Sequence, residues 1–228
     1  PLPLNVLKKE VAARLADVPC SRLESSVTAN GSVRLRGFSG SANDLNLLRK
    51  ELLALPGVRT VESATRLYPW PQCEVQLSFT DALAQNNGAS IKLLGGNGDE
   101  FREGDSLTIE VTTPSYPSYL YVSYLQANGE VAHLAWPQAR RPVAPNTRIT
   151  FGGGGKQPVY RVGAPFGDEM IVVVASASPL FQGALPETAT DREYLTSFRR
   201  AFLVRPQSGG GQRRVTAVAR PLKTQPRM

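Results

Sequence analysis

The sequence is poor in the residues from which catalytic and metal sites are usually built. Its 228 residues include two cysteines and one histidine, too few for a cysteine-rich zinc site or a set of imidazole ligands. It also has no run of 18 apolar residues, so we expect no membrane-spanning helix. The opening Pro1–Leu4 lacks an initiator methionine and a signal-peptide pattern, and we expect the chain to be part of a longer protein.

The excess of positive charge is confined to the end of the chain. The formal net charge is +7. Six basic residues and no acidic ones lie from position 205 onward, namely Arg205, Arg213, Arg214, Arg220, Lys223 and Arg227. Without these six, the 26 basic residues fall to 20 against 19 acidic ones, so we expect no nucleic-acid partner. Residues 206–228 are predicted to form a basic, glycine-rich tail, either disordered or added to a sheet as an edge strand.

Two apolar helical stripes and three strand patterns predict a small domain over residues 1–74. The stripes repeat every three or four residues. They comprise Leu4, Leu7, Val11 and Leu15, and then Leu45, Leu48, Leu52 and Leu55. Asn30-Gly31 predicts a hairpin between two strands, because a type I′ turn needs residues that tolerate positive φ. A third strand is predicted from Val58 to Leu67, which gives the order α-β-β-α-β and two helices on a three-stranded sheet.

Two stretches of this domain resemble the BON family of bacterial domains. They are Asn30-Gly31-Ser32-Val33-Arg34-Leu35-Arg36-Gly37 and Leu55-Pro56-Gly57-Val58-Arg59-Thr60-Val61. The resemblance covers residues 4–68. It implies an αββαβ fold and a binding role at bacterial envelopes, towards phospholipid or partner surfaces, and it supplies no catalytic residue. Turn geometry alone also explains each of the glycines.

The two cysteines are predicted to lie at neighbouring edges of this small sheet. Cys20 begins the first predicted strand, and Cys73 follows the third. They are interpreted either as one disulfide or as a pair of free thiols. A disulfide would close a loop of about 54 residues and stabilise the domain by roughly 3–4 kcal/mol. It would also indicate an oxidising compartment such as the periplasm.

Short period-two runs predict an antiparallel, Ig-like β-sandwich over residues 75–205. The clearest runs are Leu107 to Val111, Leu120 to Tyr124 and Met170 to Ala175. The alternation of Val75, Leu77 and Phe79 predicts a further strand at the start of this domain. One C-terminal helix is predicted from about Asp191 to Phe202, with an apolar face at helical spacing.

Four stretches of the second domain resemble a bacterial β-sandwich family of unknown function. They are Phe101-Arg102-Glu103-Gly104-Asp105, Ser118-Tyr119-Leu120-Tyr121-Val122, Asn128-Gly129-Glu130-Val131 and Gly167-Asp168-Glu169-Met170-Ile171-Val172-Val173. That family recurs in the C-terminal regions of bacterial Ser/Thr kinases and caspase-like proteins. The resemblance implies an accessory role beside a signalling or effector protein and supplies no catalytic residue.

Every motif that could carry chemistry also has a structural explanation. The run Gly152–Lys156 lacks the hydroxyl residue and the helix that follow the lysine of a phosphate-binding loop. His133 is the one histidine available to a Ser-His or Cys-His pair, but it lies in an apolar strand where a packed side chain is expected. The acidic pairs Asp168-Glu169 and Glu103-Asp105 stand in strand-entry turns. We therefore expect no catalytic, cofactor or metal site.

A tyrosine-rich stretch is the candidate partner surface. It comprises Tyr116, Tyr119 and Tyr121, together with Trp136. Tyr119 and Tyr121 share one face of the predicted strand, whereas Leu120 shares the other face with apolar neighbours. One face should belong to the core, and the other could present tyrosines to a protein or glycan. The alternative is that these tyrosines simply fill the surface and edge of the sandwich.

Together these features predict an α+β chain, in which a BON-like domain precedes a β-sandwich with one C-terminal helix. We expect a non-catalytic, periplasmic sensing or docking region of a membrane-anchored bacterial signalling protein, such as a Ser/Thr kinase. Its expected partner is a protein or an envelope component. The alternatives are a lipid- or cell-wall-binding structural module, with the basic tail on anionic headgroups, and a hydrolase that uses His133.

Overall fold

The computed structural model describes residues 1–135, 141–155, 158–203 and 214–227. The chain divides into two compact units, Pro1–Leu77 and Ser78–Met228, here called the N-terminal and C-terminal units. Its secondary structure is mixed α and β, and most of it is sheet.

The N-terminal unit places helices against a three-stranded sheet. The elements are α1 (Leu4–Ala16), β1 (Ser21–Val27), β2 (Ser32–Ser39), α2 (Ala42–Leu53), β3 (Thr60–Leu67) and α3 (Gln72–Ser78). The central strand β2 runs antiparallel to β1 and parallel to β3. The order of its first five elements, α-β-β-α-β, is the one that the apolar stripes and the Asn30-Gly31 turn predict.

The core of the N-terminal unit lies on one face of its sheet. Helix α2 begins at a Ser41 cap, whose Oγ accepts a hydrogen bond from Asp44 N at 3.2 Å. The buried side chains come from both helices and from alternate positions of the strands. They are Leu7, Val11, Leu15, Val33, Leu35, Leu48, Leu52, Leu55 and Val61. Because only alternate strand residues are buried, the opposite face of the sheet is left to polar side chains.

The alternation of Val75, Leu77 and Phe79 does not form the predicted strand. Helix α3 covers the first two of these residues, and α4 (Thr80–Ala84) begins directly after Phe79. Val75 and Phe79 are fully buried, whereas Leu77 is half-buried. Residues four apart share one side of a helix, so this spacing fits a helical turn as well as a strand.

The C-terminal unit contains two sheets and two helices among its described residues. After α4 come β4 (Ser90–Leu94), β5 (Glu100–Arg102), β6 (Ser106–Thr112), β7 (Tyr119–Leu125), β8 (Glu130–Ala135), β9 (Arg148–Phe151), β10 (Tyr160–Arg161), β11 (Asp168–Ser176), β12 (Thr188–Thr190), α5 (Asp191–Leu203) and β13 (Val215–Gln225). One sheet has the order β10-β6-β4, with β9 also paired to β6. The other has the order β12-β8-β7-β11-β13-β5.

The six-stranded sheet is covered on both faces. On one face, Val122 and Val173 join Ile109 of β6 in a core that the two sheets share. On the other face, helix α5 sets Phe198 against Tyr121 with ring centroids 6.0 Å apart. The unit therefore has three layers, two of sheet and one of helix.

The described end of the chain forms a strand of this sheet. Strand β13 pairs antiparallel with β11 along its length, and on its other side only Lys223–Gln225 pair, in parallel, with β5. Among the described residues the rest of β13 has no strand on that side, so it forms an edge, as in the expected edge strand and unlike a disordered tail. Pro221 lies on this edge, where a residue that cannot donate to a ladder is tolerated. Lys223 N donates to Asp99 O at 2.8 Å, so the nitrogen of residue 221, two positions earlier, points to the same side. Strand β5 does not extend that far, so no ladder bond is lost.

We predict that a chain ending at residue 203 will lose the cooperative unfolding of the C-terminal unit. In that chain the nine residues of β11 that pair with β13 would lose their hydrogen-bonding partners on that side. Circular dichroism melting and amide protection by NMR would measure this loss. Removing residues 226–228, which follow β13, should leave both unchanged. A native-like melt of the shorter chain would contradict the contribution of β13 to the stability of this unit.

Cys20 and Cys73 form a disulfide within the N-terminal unit, with Cα atoms 5.6 Å apart. The prediction of this bond is confirmed. It joins the start of β1 to α3, and Gly40 lies against it, because a Cβ at that position would come within 2.9 Å of Cys73 Sγ. Cys73 is fully buried, so the bond is part of the packing of this small unit.

Reduction of this bond should destabilise the N-terminal unit alone. Opening a loop with a sequence separation of 53 residues should lower its free energy of unfolding by about 4 kcal/mol. Scanning calorimetry with and without dithiothreitol would show one transition moving to lower temperature. The C-terminal unit has no cysteine, so its own transition is the internal control. A shift of both transitions, or of neither, would contradict this assignment.

Candidate functional site

The structure buries two of the tyrosines expected to form a partner surface. Tyr116 and Tyr121 are 5% and 3% exposed. The Tyr116 hydroxyl donates to Ala175 O at 3.0 Å, and the Arg214 guanidinium lies 4.2 Å from the centre of its ring. The Tyr121 hydroxyl accepts a hydrogen bond from Leu180 N at 2.8 Å. The prediction of an exposed surface is therefore wrong for these two residues.

The reason is the layer that α5 adds. Period two correctly separates the two faces of β7, but it does not show that both are covered. Tyr121 points to the helical side and packs edge-on against Phe181 and Phe198. Tyr119 is half-buried, and Trp136 lies outside the described residues. The stretch therefore does not form the expected aromatic surface.

His133 lies beside a serine, which the sequence does not indicate. Its Nδ1 is 3.1 Å from Ser123 Oγ across the β7–β8 pair, next to a bulge. The serine is 1% exposed and the histidine 8%. Tyr194 of α5 lies over the imidazole, with ring centroids 5.8 Å apart. Burial lowers the pKa of His133 below its usual value, so the ring is neutral at pH 7 and packs in the layer between sheet and helix.

The acidic pairs do not converge on a cleft. Glu169 is buried and accepts hydrogen bonds from the Tyr124 hydroxyl and from Ala127 N, the latter at 3.3 Å. Burial raises the pKa of the Glu169 carboxyl and, still more strongly, that of the Tyr124 phenol. Asp105 instead accepts from Arg102 N at 2.7 Å and closes its own turn. The carboxylates of Glu169 and Asp105 thus take part in local hydrogen bonds of the fold.

Neither a phosphate-binding loop at the glycine run nor a metal site is found within the part of the chain that the structure describes. Gly152, Gly154 and Gly155 have positive φ values. They do not lie at the tip of a hairpin, because β9 and β10 both pair antiparallel with β6. Lys156, on which the phosphate-loop comparison depends, lies outside the described residues. No group of three or more histidine, cysteine, aspartate or glutamate side chains is placed to hold a metal within those same residues.

The open face of the N-terminal sheet is the most distinctive surface feature of the described structure. It consists of the strand positions that alternate with the buried ones. These positions are Arg22, Glu24 and Ser26 of β1, Arg34, Arg36 and Phe38 of β2, and Glu62, Ala64 and Arg66 of β3. Four arginines stand against two glutamates, so this face, here called the basic sheet face, carries net positive charge.

The register arranges this face in rows across the three strands. Arg34 donates from Nε and Nη2 to Glu62 Oε2 at 3.1 and 2.9 Å. In the last row Phe38 lies between Arg22 and Arg66. No carboxylate of the described residues forms a salt bridge with either of these arginines or with Arg36. Three guanidinium groups are thus available to an anionic partner.

Phe38 gives the basic sheet face an aromatic end. It is half-buried and packs edge-on against Tyr68, with ring centroids 5.7 Å apart. Arginines and aromatic rings together are the residue types that interfaces favour. The alternation of Arg34 and Arg36 with apolar residues between positions 33 and 38 is the sequence pattern that indicates this face.

Two of the basic side chains near the end of the chain make contacts within the fold. Arg220 makes a bidentate contact with Asp99, at 2.7 and 2.9 Å from Nη2, and Arg214 lies over Tyr116. These contacts weaken the interpretation of a free basic tail on anionic headgroups.

The fold and its surfaces define a mixed α+β protein, mostly sheet, with a basic sheet face on its smaller unit. Residues 100–179 match the family model described as a domain of unknown function, DUF4384. The match runs from β5 through β11 and stops before α5 and β13. The expected resemblance of this part to a family of unknown function is confirmed at that level. No curated protein matches the chain. Within the residues described, no helix has both the length and the apolar character needed to span a bilayer.

His133 should make the stability of the C-terminal unit depend on pH. Its pKa is lower in the folded protein than the unfolded value of about 6.5. The unfolded chain therefore takes up a proton first, and stability is lost as pH falls from about 7 towards the folded pKa. His133→Gln should remove this dependence, as measured by urea unfolding between pH 5 and pH 7.5.

The chain has a single histidine, so proton NMR of its ring gives the folded pKa directly. A folded pKa above the unfolded value would reverse the predicted slope and contradict the burial described above. Ser123→Ala serves as the matched control, because it removes the neighbouring hydroxyl and leaves the titrating group in place.

Proposed function

We propose that this chain is a non-catalytic docking region of a bacterial signalling protein that works outside the cytoplasm. Its basic sheet face binds an anionic partner, either an acidic protein segment or an envelope component. The observation that carries the proposal is the set of arginines on that face that have no carboxylate partner, arranged beside Phe38. Electrostatic attraction would steer the partner, and the aromatic end would add contact area.

The N-terminal unit supports this proposal by its architecture. Its first five elements have the αββαβ order of a BON domain, and we propose that it is one. A sheet with one buried face and one charged face provides a rigid platform for recognition. Side chains on β2 are held on both sides by neighbouring strands, so Arg34 and Arg36 are positioned by the ladder and not by loops.

The disulfide supports the proposed location. The Cys20–Cys73 bond is consistent with an oxidising extracytoplasmic environment, and we propose the periplasm. The C-terminal unit, which we interpret as an Ig-like β-sandwich, would hold the docking unit beside a signalling partner domain. The match to DUF4384 is compatible with that accessory role.

Burial argues against the hydrolase alternative. A nucleophilic serine must reach its substrate, but Ser123 is 1% exposed and lies under α5. Its neighbour His133 donates or accepts within the same closed layer. We therefore propose that this pair has a packing role.

Removing charge from the basic sheet face should weaken binding to anionic probes. We expect Arg36→Gln combined with Arg66→Gln to reduce binding of the whole chain to poly-L-glutamate at least threefold, measured by isothermal titration calorimetry at 50 mM salt. The effect should shrink at 300 mM salt, because exposed charges are then screened. Arg49→Gln combined with Lys50→Gln is the matched control, since these exposed residues lie on α2 and away from the face.

Vesicles separate the two kinds of partner. Co-sedimentation with vesicles of 30% phosphatidylglycerol in phosphatidylcholine, compared with pure phosphatidylcholine, tests an anionic bilayer as the partner. Binding to those vesicles that the face variants abolish would favour the lipid-binding module. Equal loss of binding in the face variant and in the α2 control would contradict a dedicated face, as would no binding to either probe.

A further inference from the structure

The outer edge of β1 is an unprotected sheet edge. Strand order in the N-terminal sheet is β1-β2-β3, so β1 has one strand neighbour among the described residues. Its seven residues pair with β2 without a register shift, and they include no proline, glycine or lysine. Proteins that stay monomeric usually protect such an edge with a bulge, a proline or charged side chains. Strand β1 has no bulge and no proline, and its two charged residues, Arg22 and Glu24, have opposite signs.

The hydrogen-bonding groups on this edge can be assigned to residues. Gly40 N donates to Cys20 O, and Thr28 N donates to Ser32 O, so the backbone groups of even-numbered residues point towards β2. Those of Ser21, Leu23 and Ser25 must therefore point outward, since successive residues alternate in an antiparallel pair. Three successive outward positions offer both a donor and an acceptor to an added strand.

A groove beside this edge leaves room for such a strand. Its volume is about 620 Å³, and it is lined by the end of α1 and by β1. Helix α1 lines it with the buried Leu15 and with Ala12 and Ala16, whose side chains are short and exposed. A strand placed against β1 would put its helix-side residues into this groove.

The charges of β1 identify a second copy of the same strand as the occupant. In an antiparallel self-pair centred on Leu23, this residue faces its own copy, and Ser21 faces Ser25. Arg22 of each copy then faces Glu24 of the other on the open side of the sheet. The backbone N–H and C=O of Leu23 point outward, so the central pair of this arrangement is a hydrogen-bonded one. The same register that forms these hydrogen bonds therefore also brings the opposite charges together.

We propose that this chain forms a symmetric dimer through β1, with Leu23 on the two-fold axis. The two N-terminal sheets then make one six-stranded sheet, and the basic sheet faces of both copies lie side by side on the same surface. Pairing is isologous and closes after two copies, because each β1 edge is occupied by the β1 of the other copy.

Sedimentation equilibrium of the full chain tests the dimer. We expect the wild-type mass to rise from one to two chains with concentration. Arg22→Glu should raise the dissociation constant roughly tenfold or more, because two attractive cross-strand pairs become repulsive. Glu24→Arg should do the same. Arg66→Glu is the matched control, since it reverses an exposed arginine on β3, away from the β1 edge, and should leave the dissociation constant of the dimer unchanged.

A mixture of the two charge variants gives the sharpest test. Arg22→Glu mixed with Glu24→Arg restores opposite charges at both cross-strand pairs, so a mixed dimer should form although each variant alone is weakened. Ser25→Pro removes an outward donor and should also dissociate the dimer, whereas the β1–β2 ladder needs no hydrogen from that residue. Circular dichroism checks that each variant is folded, and the charge variants suffice if the proline variant is not.

The proposal is overturned by a wild-type chain that stays monomeric to 1 mM, by a dimer that Arg22→Glu does not weaken, or by a variant mixture that gains no mass. A wild-type dimer that Arg66→Glu weakens as strongly as Arg22→Glu would place the contact elsewhere on the sheet. None of these outcomes tests the anionic docking function, which is measured on Arg36 and Arg66 with separate probes.

Discussion

The C-terminal unit depends on the burial of one strand on both of its faces. From Met170 to Ala175, every side chain of β11 is at most 2% exposed. Such a strand is stable only if separate layers cover its two faces and strands flank both of its edges. The four-stranded sheet covers one face of β11 and α5 the other, while β7 and β13 pair with its two edges. This single requirement explains why α5 and the end of the chain belong to the fold.

The N-terminal unit follows a different principle, because its sheet is covered on one side. Helices bury the face that carries Val33 and Leu35, and the other face is left to arginines and glutamates. A small unit with a core on one side of its sheet gains much from a cross-link, and the Cys20–Cys73 disulfide supplies it. The same one-sided arrangement leaves a charged platform and a free edge, on which both proposals depend.

Several residues that the sequence offers as candidate site residues are buried in the structure. Tyr116, Tyr121 and His133 lie in the layers around the six-stranded sheet, where rings and hydrogen bonds hold the layers together. The sequence alone does not mark the exposed arginines of the smaller unit as a binding surface, because alternating charge on a strand is usual for a solvated face. The strand register is what brings them together in rows across the sheet, with Phe38 between Arg22 and Arg66.

Local patterns in the sequence were enough to determine the α-β-β-α-β order, most of the strands, the helix near Asp191 and the cysteine pair. These features follow from period, turn chemistry and spacing along the chain. Tertiary structure alone decided that Val75 and Leu77 lie in a helix, that β13 pairs with β11 despite Pro221, and that both faces of β7 are covered. The physical reason is that burial depends on partners far away in sequence, and a strand's own alternation does not reveal whether one face or both will meet them.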